Sequence, residues 1–151
     1  MVPAPRTRRP PLAGLGASPD RIAHAYRRAR PAAPPWVAAL SEGERGDFRV
    51  RGRRLLELLL AHLDADPPTR ARLLEQASTE ASDYGRQAAS LSLTLTDTVQ
   101  GFLRFRGPFV GELAGVARKR GLDTREATAL LEDAEAAMDR LLVSVMRGHT
   151  T

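Results

Sequence analysis

The sequence predicts an all-α fold: an antiparallel four-helix bundle with a short extra N-terminal helix and a disordered basic leader. Three observations predict it. Aromatic residues make up 5% of the chain against 42% hydrophobic in total. The core must therefore be built mainly from Leu, Ala and Val, whereas strands favour β-branched and aromatic residues. Apolar residues recur at steps of three and four through the last two-thirds of the chain, the period of a helix face. Pro and Gly fall between these periodic segments, where they end one helix and free the next. At 151 residues the chain suffices for one domain of ordinary size.

Residues 1–17 hold Pro3, Pro5, Pro10, Pro11, Gly14 and Gly16 with three arginines, and the composition predicts disorder. Ser18-Pro19 is a helix-start signal, a capping oxygen followed by a residue with its φ pre-set. A short basic helix follows to about Arg30, and Pro31, Pro34 and Pro35 end it, so 18–35 reads as helix plus linker. The bundle itself is expected over 36–149. Trp36 to Leu40 forms a short apolar turn. Ser41 and Glu44 have capping-box spacing and open a helix to about Ala65, glycine-weakened at first and strengthened by Leu55, Leu56, Leu59, Leu60 and Leu63. Pro67 and Pro68 break it.

The next helix should begin at Pro68 or Thr69 and reach about Ser90. Its seam of Ala77, Ala81, Tyr84, Ala88 and Leu91 is small enough for close helix approach, and Gly85 within it reads as a helix crossing point. Ser92 or Thr94 caps a helix whose seam runs Leu95, Val99, Phe102, Arg106, Phe109, Leu113, Val116. Pro108 lies inside it, and Gly121 ends it after three cations. Asp123 and Glu126 cap the last helix, with a seam of Ala127, Leu131, Ala134, Met138, Leu141 and Val145 and a close at Arg147-Gly148.

Composition excludes whole classes of chemistry. With no cysteine there is no disulfide, thiolate metal site or cysteine nucleophile. No apolar run approaches the ~20 residues that span a bilayer, and Pro10 and Pro11 interrupt any signal-peptide h-region after the first arginines. A cytoplasmic, soluble protein with no membrane association is expected. The base set of 22 arginines and one lysine, Lys119, is what a GC-rich bacterial genome encodes. Charge is uneven. Residues 1–30 contain seven arginines and one acid, Asp20, for a net +6, which leaves −1 on the remainder. The head reads either as a solvated leader or as an arm for something acidic. Arg6, Arg8, Arg9, Arg27, Arg28 and Arg30 are then the candidate nucleic-acid contacts.

No catalytic constellation stands out. His24, His62 and His149 are far apart, each with at most one carboxylate nearby, so no metal site is expected, and His62 reads as a helix-edge residue. There is no G-x-S-x-G, no phosphate loop and no dinucleotide fingerprint, so neither a nucleophile nor a cofactor is assigned. One segment does concentrate unusual chemistry: FLRFRGPF, residues 102–109, with three of the seven aromatics. Arg106 on an apolar seam must meet a carboxylate, a carbonyl, water or a ligand. It reads either as paired to a neighbouring helix or, with Arg104, Phe102 and Phe109, as an anion or partner site.

The run YGRQAASLSLTLTDTVQGFLRFRGPFVGEL with the closing helix MDRLLVSVMRGH resembles the helical N-terminal domain of RsbR-type stressosome co-antagonists, and similar helices of PucR-type bacterial regulators, over about residues 70–149. The resemblance implies a sensory or protein-interaction module in stress signal transduction or transcription regulation. The chain closes where such regulators continue into an output domain, so a stand-alone module is expected. It would be non-enzymatic and would act by binding a protein partner or its own copy. The alternative is a small nucleic-acid-associated protein that uses the arginine-rich head.

Overall fold

The computed structural model describes residues 9–29 and 33–151, and its regular structure is all helix. In chain order these are α1 (Pro19–Ala29), α2 (Pro35–Ala39), α3 (Glu42–Asp64), α4 (Pro67–Ser90), α5 (Leu95–Lys119) and α6 (Thr124–Thr150), with no strand among the described residues. No described helix is long and apolar enough to cross a membrane.

The helix starts follow local chemistry. Ser18 Oγ accepts from the Arg21 amide at 3.2 Å. Ser41 with Glu44, Thr94 with Asp97 and Asp123 with Glu126 each form a reciprocal capping box, which satisfies amides that have no partner inside the helix. Two helix ends use the left-handed region. Gly121 (φ 70°) follows α5, where the Leu122 amide reaches the Ala117 carbonyl at 3.1 Å. Ser92 (φ 63°) plays the same part after α4, where the Leu93 amide reaches Ala88. α5 continues through Pro108 without interruption.

α4 and α6 pack together most extensively and run parallel. Arg70 pairs with Asp133 at 3.3 Å near their starts, Arg140 with Glu75 midway, and Gly85 meets Val145 near their ends. A Cβ on Gly85 would overlap the Val145 carbonyl, and one on Gly148 would overlap the Ser82 carbonyl, so both glycines are required by backbone contact. Gly85 is therefore the crossing point that its mid-helix position suggests. Gly148, expected to close the last helix, instead lies buried inside it, because α6 needs those last residues against α4.

The expected bundle of α3 to α6 is extended by the short N-terminal helix. α3 lies along α4 and α5 along α6, each also touching the other member of the central pair, and α1 packs between α3 and α5. The helices α1, α3, α4, α6 and α5 thus form a closed ring, with α1 as a full member and α2 outside it. Its Ile22 is buried, Arg53 of α3 grips Asp20 at 2.6 Å, and Arg21 reaches Glu112 of α5 at 3.3 Å.

The expectation of disorder over 1–17 is corrected for residues 9–17; residues 1–8 lie outside the described chain. Leu12, Leu15 and Ala17 are buried in the main core. Arg9 binds the Asp64 carboxylate at 2.7 Å and the Leu63 carbonyl at 2.7 Å. The Leu12 amide donates to the same carboxylate, and Arg120 Nε donates to the Leu15 carbonyl at 2.9 Å. Proline and glycine prevent a helix here, but two leucines plus satisfied polar groups hold a non-helical strap across the ends of α3 and α5. Gly16, at φ 92°, makes the turn from strap to α1.

Three further expectations shift. In α5 the buried position in the first turns is Thr98, not Leu95 or Val99, because Thr98 lies under Tyr84, whose hydroxyl donates to its carbonyl at 3.1 Å. The α6 seam is buried as expected at Ala134, Met138, Leu141 and Val145, but Ala127 and Leu131 are only half-buried and Leu130 is buried in their place. His62 is not at a helix edge: it is buried, and its Nδ1–H donates to the Arg70 carbonyl at 2.8 Å across the α3–α4 corner.

Candidate functional site

The splay of α3 from α5 leaves a half-open cavity of about 570 Å³, lined by Tyr84 of α4 and flanked by α1 and α2. Its shape follows from particular residues. Gly101 of α5 lets two large groups come in. A Cβ there would lie 2.5 Å from the Tyr84 hydroxyl and 3.1 Å from the Trp36 ring. Trp36 is presented by the short α2, which has no buried residue of its own. Phe48 of α3 meets Tyr84 edge-on at 5.5 Å, and Phe102 and Phe105 of α5 contact each other at 6.0 Å. Tyr26 of α1 lies under the Arg104 guanidinium at 5.7 Å, a cation–π contact that ties α1 to α5. Gly52, in the wall from α3, has open space where a Cβ would be.

Charge in the walls has one sign. Arg27, Arg45, Arg49, Arg51, Arg53 and Arg104 line the cavity, and no Asp or Glu does. Arg51 is held by Glu80 at 3.1 Å and by Gln87 at 3.0 Å, and Arg53 by Asp20. Arg27, Arg45 and Arg49 form no ion pair with a described residue. Burial pushes the Tyr84 hydroxyl well above its ordinary range, so it stays neutral. The Trp36 Nε1–H is buried and has no acceptor among the described residues.

The structure divides the residues singled out from FLRFRGPF. Phe102 and Arg104 line the cavity, with Phe105 and Pro108 beside them. Phe109 is wholly core. Arg106 points the other way and pairs with Asp139 of α6 at 2.9 Å, so the single site of Arg104 and Arg106 is corrected to two environments. Two residues along a helix are about 200° apart in direction, which separates them. Of the basic head, Arg6, Arg8 and Arg30 lie outside the described residues. Arg9 is used internally, Arg27 lines the cavity, and Arg28 is exposed in the last turn of α1. Among the described residues no group of three or more His, Asp or Glu side chains is placed to hold a metal ion.

Sequence reasoning missed Tyr26, Trp36, Phe48 and Arg45 as one site. The available signal was the concentration of four of the chain's seven aromatics (Tyr26, Trp36, Phe48 and Tyr84) in segments otherwise rich in arginine and glycine. Comparison with family models, curated proteins and solved structures finds no match to this chain.

Proposed function

We propose that this chain is a non-catalytic sensory module: a small molecule in the cavity is its input, and binding of a protein partner or second copy is its output. The observation that carries the reading is the cavity of about 570 Å³ between the splayed α3 and α5. That volume is in the range of small-molecule sites, and apolar walls with a few placed polar groups are their usual make-up. The resemblance over residues 70–149 points the same way, toward regulation in bacterial stress or transcriptional control. The cap is suited to transmit occupancy. α1 is held on one side by Asp20–Arg53 and on the other by Arg21–Glu112, exposed pairs that contribute little each. On the outward faces of α5 and α6, Leu103, Val143 and Met146 remain exposed and offer apolar contact to a partner.

The test is occlusion. Gly52→Phe adds a ring into open space in the cavity wall. Wild-type protein purified from its host and extracted into organic solvent should release a small molecule, seen by mass spectrometry, that the variant does not carry. A metabolite library should also raise the wild-type melting temperature selectively. If no compound is retained by, or stabilises, the wild type more than the variant, the cavity is not the input.

A further inference from the structure

We infer that the cavity selects an amphipathic acid, one anionic head on an apolar body. This rests on the cavity being a ligand site, as proposed above.

Two independent features of the walls define the two ends of such a molecule. The inner part is apolar: Trp36, Phe48, Phe102 and Phe105 enclose it with Leu55 and Leu56, both buried. A hydrocarbon chain or ring leaves water favourably there. Neither a polar metabolite nor an inorganic ion replaces its hydration against such walls.

The ionisable contribution is cationic. Among the cavity's arginines, Arg51 and Arg53 already face carboxylates. Arg45 and Arg49 do not, and they stand one helical turn apart on α3, where residues at i and i+4 share a face. Arg27, from the last turn of α1, comes to the same cavity. A planar guanidinium gives paired parallel donors to a carboxylate, and such charge-assisted bonds are the strong ones. Arg49 and Arg27 are exposed while Arg45 is half-buried, so the cations mark the solvent side and the aromatics the interior. An acid enters tail first and leaves its head on Arg45 and Arg49. A cationic amphiphile of the same shape meets only like charge.

Trp36 is the chain's one tryptophan and lies in the cavity wall, so its fluorescence reports occupancy. The experiment titrates the full chain with dodecanoate, 1-dodecanol and dodecyltrimethylammonium, each below its micellar concentration. Dodecanoate is expected to change the emission saturably and to bind at least tenfold more tightly than dodecanol, with the ammonium weakest. Arg45→Gln/Arg49→Gln, checked for unchanged helicity by circular dichroism, should remove the preference of dodecanoate over dodecanol and leave dodecanol binding intact. Equal affinity for dodecanoate and dodecanol in the wild type overturns the acid-selective reading and leaves the cavity a ligand site. A preference that survives in the double variant overturns the assignment to Arg45 and Arg49. No saturable response to any of the three, with Gly52→Phe indistinguishable from wild type, overturns both this inference and the sensory reading on which it rests.

Discussion

Gly148 of α6 lies directly against the Ser82 carbonyl of α4, so the spacing of the central helix pair is set by backbone and not by side chains. Gly148→Ala places a methyl where that carbonyl stands and forces the helices apart. The expected loss exceeds ~2 kcal/mol, typical of overpacking a well-packed core. It should be seen as a fall in melting temperature of roughly 5–10 °C. Gly111→Ala is the matching control, since a Cβ there meets nothing within 4 Å. That variant should gain up to about 1 kcal/mol from helix propensity. If both substitutions stabilise, the two backbones are not in contact.

The strap makes residues 9–17 a structural element. Leu12 is buried to 1% exposure, and Leu12→Ala should cost about 2–5 kcal/mol. Deletion of residues 1–17 should lower the melting temperature by at least as much as that substitution. A deletion variant that melts with the wild type would mean that the strap does not pack on the core.

Arg106 and Asp139 form a half-solvated pair, with side-chain exposures of 27% and 67%. Water can rehydrate Asp139 when its partner is lost, so Arg106→Leu should change stability by less than about 1 kcal/mol. Dodecanoate binding should be unaffected, because Arg106 lies outside the cavity. Loss of that binding in a folded Arg106→Leu variant would return this residue to the site.

His62 gives stability a pH dependence of definite sign. Burial holds its pKa below the ordinary 6.5, a shift only partly opposed by the bond to the Arg70 carbonyl. The unfolded chain therefore binds a proton near 6.5 that the folded chain accepts only at lower pH. The contribution is complete above 6.5 and is lost as pH falls through that value toward the folded pKa. His62→Gln removes the titration, so the stability advantage of wild type over the variant should shrink between pH 7.5 and pH 5.5 by thermal melting. An advantage that grows on acidification would show that His62 is protonated in the folded state.

The helical skeleton was legible because its signals are local. Ser41 with Glu44 and Asp123 with Glu126 announce helix starts within four residues. Ala134, Met138, Leu141 and Val145 repeat at a period that only a helix satisfies. What escaped depends on distant partners. Leu12 and Leu15 stand among prolines and glycines, and nothing nearby indicates that Asp64 and Arg120 will hold the strap. The seam of α5 slips to Thr98 because of Tyr84 on another helix. The candidate site was half visible: Phe102 and Arg104 were singled out, but the cavity needs Trp36 and Tyr26, which belong to segments read as a short apolar turn and a basic helix.

α1 as a member of the ring has a consequence for how the molecule is made. Synthesis delivers residues 9–29 before any of their partners: Arg53, Asp64, Glu112 and Arg120 all emerge later. Helices α3 to α6 can condense from neighbouring hairpins, contacts of short sequence separation that form fast. The N-terminal segment must wait with Leu12, Leu15 and Ile22 uncovered until Arg120 has left the ribosome. The cavity wall that α1 supplies is therefore translated before the walls it closes on, and a ligand present at that moment can be enclosed as the ring shuts.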